Sequence, residues 1–217
     1  YIDHTLLKAT ATEQDIIKLC DEAKKHKFFS VCVNSCYVSL AKSQLNNSDV
    51  KVCSVIGFPL GAMSTKAKVE ETKQALKDGA DEIDMVINVG FLKSKNFDAV
   101  WQDIEAVKQV MPNNILKVIL ETCYLEEIEI IKASELAINS GADFIKTSTG
   151  FGTGGATIHD VEIMKSVAQK CNVKIKASGG IRDTKTAKAY IEAGAERIGT
   201  SNGIAIVTGQ KAEEGNY

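Results

Sequence analysis

The chain has 217 residues, of which 44% are hydrophobic and 25% are charged, and its formal net charge is -2. These values are typical of a single globular domain, and a charge so close to zero favours neither nucleic acid nor an acidic membrane surface as a partner. No apolar run approaches the length of a membrane span, and there is no signal-peptide pattern. We therefore expect one cytoplasmic domain over residues 1–217, with no nucleic-acid or membrane partner.

Six cysteines are scattered along the chain, and most of them lie in apolar segments. This distribution indicates reduced thiols that fill the core, which agrees with a cytoplasmic location. Cys32 and Cys36 are too far apart for a CxxC motif, and the three histidines lack the spacing of metal ligands. We expect neither a metal ion nor a cofactor.

Short β-rich runs alternate with segments whose apolar residues recur at helical spacing. The predicted strands cover residues 1–5, 29–34, 50–58, 82–88, 115–122, 144–149, 173–178 and 197–200. The predicted helices cover residues 12–26, 35–45, 65–77, 97–111, 125–139, 158–171, 184–193 and 204–207. Alternation of this kind predicts a parallel sheet, and eight units favour a closed (β/α)8 TIM barrel over an open doubly wound sheet.

Three of the predicted helices end in the same way, with Gly-Ala-Asp or Gly-Ala-Glu at residues 79–81, 141–143 and 194–196. A glycine is the usual residue just after a helix, so the repeat indicates a tight turn from helix to strand. The last polar segment, residues 209–217, predicts a flexible C-terminal tail.

The alternation of side chains along a strand separates the barrel interior from the face that meets the helices. The more apolar phase is expected to meet the helices, as Ile83, Met85 and Ile87 would in the fourth strand. The opposite phase then places six residues of six strands inside the barrel: Asp3, Cys32, Asp84, Lys117, Lys146 and Lys176. Branched aliphatic residues normally fill a barrel interior and buried ions are costly, so this set indicates a functional site.

Structural explanations for these charged residues are the alternative. The whole set could be a network that only satisfies itself, and Lys146 could be a strand-end lysine whose amine reaches solvent. Glu82 and Lys174 share the inward phase but lie early in their strands, near the end of the barrel opposite to the site. We expect those two residues to be structural.

Lys146 and Lys176 lie on adjacent predicted strands, where they would repel each other as ammonium ions. Such repulsion favours the neutral form of one amine, which is a nucleophile towards carbonyl groups. Asp84 could accept and return a proton, directly or through water. Two lysines and a carboxylate are the set that a class I aldolase needs, because a lysine imine draws electrons from the carbon–carbon bond that breaks.

Loops rich in glycine and hydroxyl groups follow the last three predicted strands. The candidate phosphate-binding residues in them are Gly150, Gly179, Gly180, Gly199, Thr200 and Ser201. The loops after strands 7 and 8 and the start of the next helix form the usual phosphate site of such barrels. A tight turn would explain any one glycine pair, but three adjacent loops indicate a substrate that carries a phosphate group.

Six motifs occur in order along the chain and together span essentially all of it. They occupy residues 3–5 (DHT), 57–61 (GFPLG), 82–86 (EIDMV), 117–122 (KVILET), 144–150 (FIKTSTG) and 175–181 (IKASGGI). These motifs resemble the 2-deoxyribose-5-phosphate aldolase family, and the pair KTSTG and KASGG is highly specific. The resemblance implies reversible cleavage of 2-deoxy-D-ribose 5-phosphate to acetaldehyde and D-glyceraldehyde 3-phosphate.

The resemblance also implies a role for each matching residue. Lys146 would form a Schiff base with the substrate, and Lys176 would favour its neutral amine and help to move protons. Asp84 would be the general acid and base. Residues lining the sugar pocket would be Asp3, Thr5, Cys32 and Lys117.

Two further positions concern differences among members of this family. Some members use a tyrosine at the very end of the chain for proton transfer, and Tyr217 is the last residue here. Some relatives have a lysine after the TSTG run, where this chain has Phe151. The resemblance therefore carries no phosphate contact to that side chain.

Other functions stay open at this point. Another phosphate-binding barrel, such as a different class I aldolase or a sugar-phosphate isomerase, would share the loops, although an isomerase needs no imine. A catalytically inactive barrel could sense a sugar phosphate, although it would have no reason to keep two lysines and an aspartate inside. Barrels of this kind often pair through their helices, so we expect a homodimer or a higher homo-oligomer.

Overall fold

The computed structural model describes residues 1–210. Its eight parallel strands are β1 (Ile2–Leu6), β2 (Ser30–Asn34), β3 (Lys51–Ile56), β4 (Glu82–Val86), β5 (Ile115–Ile119), β6 (Phe144–Lys146), β7 (Lys174–Ser178) and β8 (Arg197–Thr200). Each strand pairs with the next one along the chain, and β8 closes the barrel by pairing with β1. The predicted (β/α)8 barrel is therefore confirmed.

Helices surround the strands and connect each one to the next. They are α1 (Glu13–His26), α2 (Val38–Gln44), α3 (Thr65–Lys77), α4 (Val89–Lys93), α5 (Phe97–Gln109), α6 (Glu127–Asn139), α7 (Ile158–Ala168), α8 (Thr184–Ala193) and α9 (Gly203–Thr208). Single 3-10 turns cover Ser35–Tyr37 and Thr122–Tyr124. None of the helices in residues 1–210 combines the length and the apolar character needed to cross a bilayer.

Several observed elements differ from the predicted ones; β3, β4 and β5, for example, each end two or three residues before the predicted bounds. The second predicted helix begins with a 3-10 turn, and α4 was not predicted because its five residues are too few for helical periodicity to show. The sixth strand ends at Lys146 instead of residue 149. The backbone N–H of Thr147 still donates to the carbonyl of Lys176 on β7, whereas that of Thr149 donates to the carboxylate of Glu121, 3.0 Å away.

The repeated helix ending serves as a tight turn, as predicted. Its three glycines have positive φ angles, at Gly79 (+106°), Gly141 (+90°) and Gly194 (+123°). The Asp81 carboxylate accepts a hydrogen bond from the backbone N–H of Val52, at 2.9 Å, and Asp143 accepts one from that of Leu116, at 2.8 Å. Each aspartate thus ties the start of its own strand to the preceding strand.

The hydrophobic core lies mainly between the strands and the helices. In β4 and β5 it receives Ile83, Met85, Leu116 and Val118, which are fully buried. The helices contribute the residues of their inner faces, such as Ile16 in α1. The predicted assignment of strand faces therefore holds, and it leaves the inward-pointing side chains to form a separate site.

Residues 211–217 lie outside the described part of the chain. They include Tyr217 and most of the segment, 209–217, for which a flexible tail was predicted.

Candidate active site

Lys146 is the last residue of β6, at the carboxyl end of the barrel where active sites of this architecture lie. Its side chain is buried, with an exposed fraction of 3%. The Nζ atom donates a hydrogen bond of 2.7 Å to Oδ2 of Asp84, which points inwards from β4. Lys146 is thus a buried amine and not a lysine whose end reaches solvent.

Asp84 is the centre of the interior cluster. Its Oδ2 atom accepts a second hydrogen bond, of 2.8 Å, from Nζ of Lys176 on β7. Its Oδ1 atom accepts one of 2.8 Å from Nζ of Lys117 on β5. One fully buried carboxylate therefore contacts three ammonium groups, and the structure brings Lys146, Lys176 and Asp84 into direct contact.

The register of the strands explains this convergence. Asp84 pairs with Lys117 across β4 and β5, and Lys146 pairs with Lys176 across β6 and β7. Paired residues point to the same face of the sheet, and the closed barrel turns both pairs towards one centre. Local alternation therefore turns these side chains inwards, and the register of the closed barrel brings them together.

A second group of charges supports the cluster from the other side. Nζ of Lys176 lies 2.6 Å from Oδ2 of Asp3 on β1, and Nζ of Lys117 lies 2.6 Å from Oε2 of Glu82. Arg197 bridges these two carboxylates, at 2.8 Å from Asp3 and 3.1 Å from Glu82. Glu82 is therefore a supporting residue, as expected, while Lys174 lies outside the interior with half of its side chain exposed.

The electrostatics of the cluster fix the ionic states of Asp84 and Lys176. Burial raises the pKa of Asp84, but the ammonium groups of Lys117, Lys146 and Lys176 outweigh this effect and hold the pKa well below its usual range. Burial lowers the pKa of Lys176, but the carboxylates of Asp3 and Asp84 outweigh it and raise that pKa well above its usual range. Lys176 is therefore an ammonium ion at neutral pH, which is the state that repels a neighbouring ammonium.

Lys146 differs from the other two lysines in its surroundings. Lys117 and Lys176 each contact two carboxylates and have no exposed surface. Lys146 has one ion-pair partner within residues 1–210 and retains some exposed surface. It is therefore the amine of the three that a substrate reaches first.

The remaining predicted pocket residues are buried around the same centre. Asp3 contacts Lys176 directly, and the Thr5 hydroxyl donates a hydrogen bond of 2.8 Å to the backbone oxygen of Asp3. Cys32 lies on β2 with its thiol in a group with Cys53 and Asp84, whose ligand atoms are all within 4.8 Å of one another. A metal ion at this group would meet the three ammonium ions that already surround Asp84.

The predicted phosphate loops form a cleft of about 350 Å³. Five of the predicted residues line it, namely Gly150, Gly179, Gly180, Thr200 and Ser201. Gly179 has a φ of +88°, and a Cβ atom there would lie 2.8 Å from Cα of Gly155, so the two loops approach too closely for a side chain. The cleft is therefore lined mainly by backbone and hydroxyl groups, which suits an anion.

The sixth predicted phosphate residue, Gly199, is not among the residues that line this cleft. A Cβ atom at this position would lie 3.0 Å from Cε of Lys176 and 3.0 Å from Cβ of Ser178. Gly199 thus leaves space in the interior for the Lys176 side chain.

Several residues that line or support the site, Arg197 among them, were not assigned to it from the sequence. Arg182 adds a cation to the cleft, and its position two residues after the Gly179–Gly180 pair was a usable signal. Glu121 accepts hydrogen bonds from both the backbone N–H and the hydroxyl of Thr149, and so holds the loop after β6. The Phe151 ring packs edge-on against Phe58, with 5.4 Å between ring centres, and is not part of the cleft.

This arrangement has a definite chemical capacity. A buried lysine at a strand end can form an imine with a carbonyl carbon, and the adjacent carboxylate and ammonium ion can move protons. The nearby cleft offers backbone N–H groups, hydroxyls and one guanidinium to an anionic group. The site thus suits a small aldehyde or ketone that carries a phosphate.

Comparisons with known proteins agree with this chemistry. A sequence model described as DeoC/LacD family aldolase matches residues 1–209. A deoxyribose-phosphate aldolase from Finegoldia magna is 60% identical over 210 residues, covering 96% of this chain and 98% of the relative. One from Thermococcus gammatolerans is 58% identical, covering 99% and 96%. The solved tetrameric deoxyribose phosphate aldolase from Aeropyrum pernix is 34% identical with a TM-score of 0.89, covering 95% of this chain and 88% of that one.

Proposed function

This chain belongs to the DeoC/LacD family of aldolases, and we propose that Lys146 is the lysine with which it binds its substrate covalently. The enzyme is a carbon–carbon lyase of class I. It reversibly cleaves 2-deoxy-D-ribose 5-phosphate to acetaldehyde and D-glyceraldehyde 3-phosphate through a lysine Schiff base.

The first step joins Lys146 to the open-chain aldehyde of the sugar. The nitrogen attacks C1, and loss of one water molecule gives a protonated imine. An ammonium ion and the protonated imine that replaces it carry the same charge, so Asp84 Oδ2 keeps a cationic partner throughout. The proton that leaves the amine before the attack is returned when the C1 oxygen departs as water. Asp84 is the group in place to take it up, directly or through water, because Lys176 is already an ammonium ion.

The second step breaks the bond between C2 and C3. The C3 hydroxyl loses its proton, the C3 oxygen forms a carbonyl, and the electron pair of the broken bond moves into the imine to give an enamine. Glyceraldehyde 3-phosphate leaves at this point. The lowered pKa of Asp84 makes it a weak base. We therefore favour proton transfer through a water molecule that Asp84 orients, and not direct abstraction by the carboxylate.

The last steps return the enzyme to its free state. C2 of the enamine takes a proton, and water then adds to the imine and releases acetaldehyde from Lys146. Lys176 lies beside Lys146 in the register of β6 and β7, so it is placed to pass on this proton. From the family resemblance we also assign a part in this proton transfer to Tyr217, to be tested with Tyr217→Phe as a fall in kcat.

The 5-phosphate occupies the cleft between the loops that follow β6, β7 and β8. Backbone N–H groups at Gly179 and Gly180, the Ser201 hydroxyl and the Arg182 guanidinium are its proposed ligands. A dianion bound there would be fixed while the aldehyde end of the sugar reaches Lys146. Binding through the non-reacting end of a substrate in this way lowers the entropy that is lost in the chemical step.

One observation carries the assignment: Lys146 and Lys176 share a single oxygen of Asp84 at distances of 2.7 and 2.8 Å. The test is reduction with sodium borohydride in the presence of acetaldehyde, followed by peptide mass mapping of the folded protein. We expect an ethyl group on Lys146 that forms only with the aldehyde. An adduct on Lys176 or Lys117 would reverse the proposed roles, and a folded protein without any adduct would contradict the imine.

A homo-oligomer is a further proposal. A solved relative is described as tetrameric, and Ile128, on the outside of α6, exposes 72% of its surface. An exposed isoleucine on a helix is a typical component of a contact between subunits. Light scattering coupled to size exclusion should give a mass at least twice that of the chain, and Ile128→Lys should lower it.

We also propose that this single-domain enzyme works in the cytoplasm. All six cysteines are free thiols, and Cys36 and Cys171 are exposed. Exposed free thiols persist in a reducing compartment, which supports this location. Fractionation of source cells, followed by antibody detection of the chain, tests it.

A further inference from the structure

Two buried thiols face each other beside the active-site carboxylate, and the proposed aldol chemistry gives neither of them a covalent step. Cys32 on β2 and Cys53 on β3 are direct partners in the register of these parallel strands. Both side chains are fully buried and point into the barrel. The remaining cysteines, Cys20, Cys36, Cys123 and Cys171, lie on other elements or in loops.

The two thiols are in contact with the charged cluster as well as with each other. The Cys53 thiol donates a hydrogen bond of 3.1 Å to Oδ1 of Asp84, and Nζ of Lys117 lies 3.4 Å from its sulfur. The sulfur of Cys32 is within 4.8 Å of the Cys53 sulfur and of the Asp84 carboxylate. A change at this pair is therefore transmitted directly to Asp84.

The surroundings give the two thiols different reactivities. The neighbouring Cys53 thiol lowers the pKa of Cys32; burial opposes this effect, and nearby Lys176 and Lys146 reinforce it. Burial, the neighbouring Cys32 thiol and the charge of Asp84 raise the pKa of Cys53 well above its usual range. Cys32 therefore has the greater thiolate character, and thiolates are the form that reacts with peroxides.

The geometry also permits a bond between the two sulfurs. Neighbouring strands lie about 4.8 Å apart, and disulfides span Cα separations of roughly 4.4–6.8 Å. A disulfide carries no charge, so it adds nothing to the three ammonium groups around Asp84. A cation bound by the same thiols would be repelled by those groups, so the arrangement favours oxidation over metal binding.

We propose that Cys32 and Cys53 form a reversible disulfide when the enzyme meets hydrogen peroxide, and that this bond switches the enzyme off. The Cys32 thiolate attacks one peroxide oxygen, the O–O bond breaks, and the leaving hydroxide takes a proton to become water. The sulfur of Cys53 then attacks the resulting sulfenic acid, and the expelled hydroxide leaves as water with the proton of the Cys53 thiol. Two thiols and one peroxide thus give one disulfide and two waters.

The expected loss of activity follows from the position of the bond. The disulfide removes the hydrogen bond from Cys53 to Asp84 Oδ1 and draws the Cys53 sulfur towards β2. A displacement of this kind beside a proton-transfer group lowers the rate roughly tenfold or more. A thiol reductant restores both thiols and with them the activity, as is typical of regulatory disulfides in reducing compartments.

The first experiment detects the bond without measuring activity. The folded enzyme is treated with hydrogen peroxide in the presence of a chelator, quenched with catalase, alkylated and digested without reduction. Trypsin places Cys32 and Cys36 together in residues 28–42 and Cys53 in residues 52–66. The experiment therefore uses the Cys36→Ser variant, in which a link between these two peptides identifies the Cys32–Cys53 disulfide.

The controls separate the bond from its consequence. In Cys53→Ala we expect no link, and dimedone should instead label Cys32 as a sulfenic acid. In Cys171→Ser the link and the reversible loss of activity should be unchanged. Oxidation of Cys171 alone, with no link in the folded Cys36→Ser enzyme, would overturn the proposal. If the link forms and the enzyme stays active, the proposal that this disulfide switches the enzyme off is wrong.

The inhibition rests on the proposed function, whereas the disulfide does not. The peptide map measures the bond even in an enzyme that has no activity towards deoxyribose 5-phosphate. Borohydride trapping at Lys146, carried out on the reduced enzyme, tests the aldolase assignment separately. Failure of one proposal is therefore distinguishable from failure of the other.

Discussion

Neighbouring residues of β4 enter two different environments. Ile83 and Met85 point outwards and are fully buried among aliphatic side chains of the surrounding helices. Glu82 and Asp84 point inwards and are buried among lysines and an arginine. The two layers are separated only by the thickness of the sheet, and each takes alternate residues of the same strands.

This difference shows that the outer layer mainly stabilises the barrel, whereas the inner layer holds the groups suited to the chemistry. Burial of the outer aliphatic layer contributes about 25 cal/mol for each Å² removed from water and requires no specific partner. Each ion of the inner layer loses several kcal/mol of hydration, which only its partners offset. The outer layer therefore tolerates conservative substitutions, whereas the inner layer is destabilised when an ion is left without enough opposite charge.

The largest effect on function should come from Lys146→Met, which breaks the inner layer at its most accessible member. Methionine keeps the length of the side chain but cannot form an imine. We expect kcat/KM to fall by at least about 10³-fold, because the covalent route is lost. Asp84 keeps Lys117 and Lys176 as partners, so the thermal midpoint should change by only a few degrees.

Steady-state rates with 2-deoxyribose 5-phosphate, together with circular dichroism melting curves, check this prediction. The matched control is Lys174→Met, which makes the same substitution at a half-exposed lysine. Substantial turnover by a folded Lys146→Met enzyme would rule out the covalent role.

A direct test of the contrast between layers is to compare Asp84→Asn with Ile83→Val. The first removes the shared carboxylate and leaves three buried ammonium groups without it, which should destabilise the fold by about 3–5 kcal/mol. The second removes one methyl group from the outer layer and should cost about 1 kcal/mol. Chemical denaturation measures both values, and equal losses of stability would contradict the division between the layers.

The two variants should also differ in activity. Asp84→Asn should lower kcat by about 10²-fold or more because the proton-transfer group is gone. Ile83→Val should stay within about twofold of the parent enzyme, since its side chain faces the helices and not the substrate.

The inner layer should also give the fold a defined pH range. Asp3 and Asp84 have lowered pKa values, so the stabilisation they provide is complete above roughly pH 5 and is lost as the pH falls. Lys117 and Lys176 have raised pKa values, so their contribution is complete below roughly pH 10 and is lost as the pH rises.

Melting temperatures measured from acid to alkaline pH should therefore show a plateau between these limits. In Asp84→Asn the lysines lose one of the charges that raise their pKa values, so the alkaline fall should be smaller than in the parent. An alkaline fall of the same size in both proteins would show that the interior charges are not its cause.

A smaller effect is expected at the cleft, where Arg182→Ala should act on the phosphate alone. Loss of one charge-assisted hydrogen bond should lower kcat/KM for the phosphorylated sugar about tenfold. The value for free 2-deoxyribose should change by less than about twofold. Lys185→Ala, which removes an equal charge from the exposed side of α8, should change neither value, and equal losses with both sugars would contradict the assignment of Arg182.

Much of this contrast could be predicted from the sequence because strand alternation is local. The alternation of apolar and charged residues assigned Ile83 outwards and Asp84 inwards, and the same reasoning placed Lys117, Lys146 and Lys176 on one interior surface. Prediction of the eight strand–helix units needed only the periodicity of helices and strands, together with the repeated Gly-Ala-Asp/Glu turns.

What could not be predicted depends on the stagger of the closed barrel, which sets how deep each residue lies. The bridge from Arg197 to Asp3 and Glu82 joins strands far apart in sequence, so no local pattern shows it. Gly199 was assigned to the phosphate loop as part of its glycine- and hydroxyl-rich run, but it lies against the Lys176 side chain. Alternation gives the direction of a side chain and not its depth.

Lys174 and Lys176 differ in depth but not in direction, so they test the effect of depth alone. The smallest effect of all should come from a substitution at Lys174. Both belong to β7 and to the same phase, yet the side chain of Lys174 is 52% exposed and contacts Glu196 only at 4.0 Å, while that of Lys176 is fully buried between Asp3 and Asp84. Lys174→Met should change the free energy of unfolding by less than about 0.5 kcal/mol and leave kcat unchanged, because an exposed ion pair contributes little. The same substitution at Lys176 should cost several kcal/mol, since it leaves Asp3 and Asp84 short of a cation. Urea denaturation of the two variants measures the difference, and similar losses would mean that depth in the barrel does not govern the contribution of a charge.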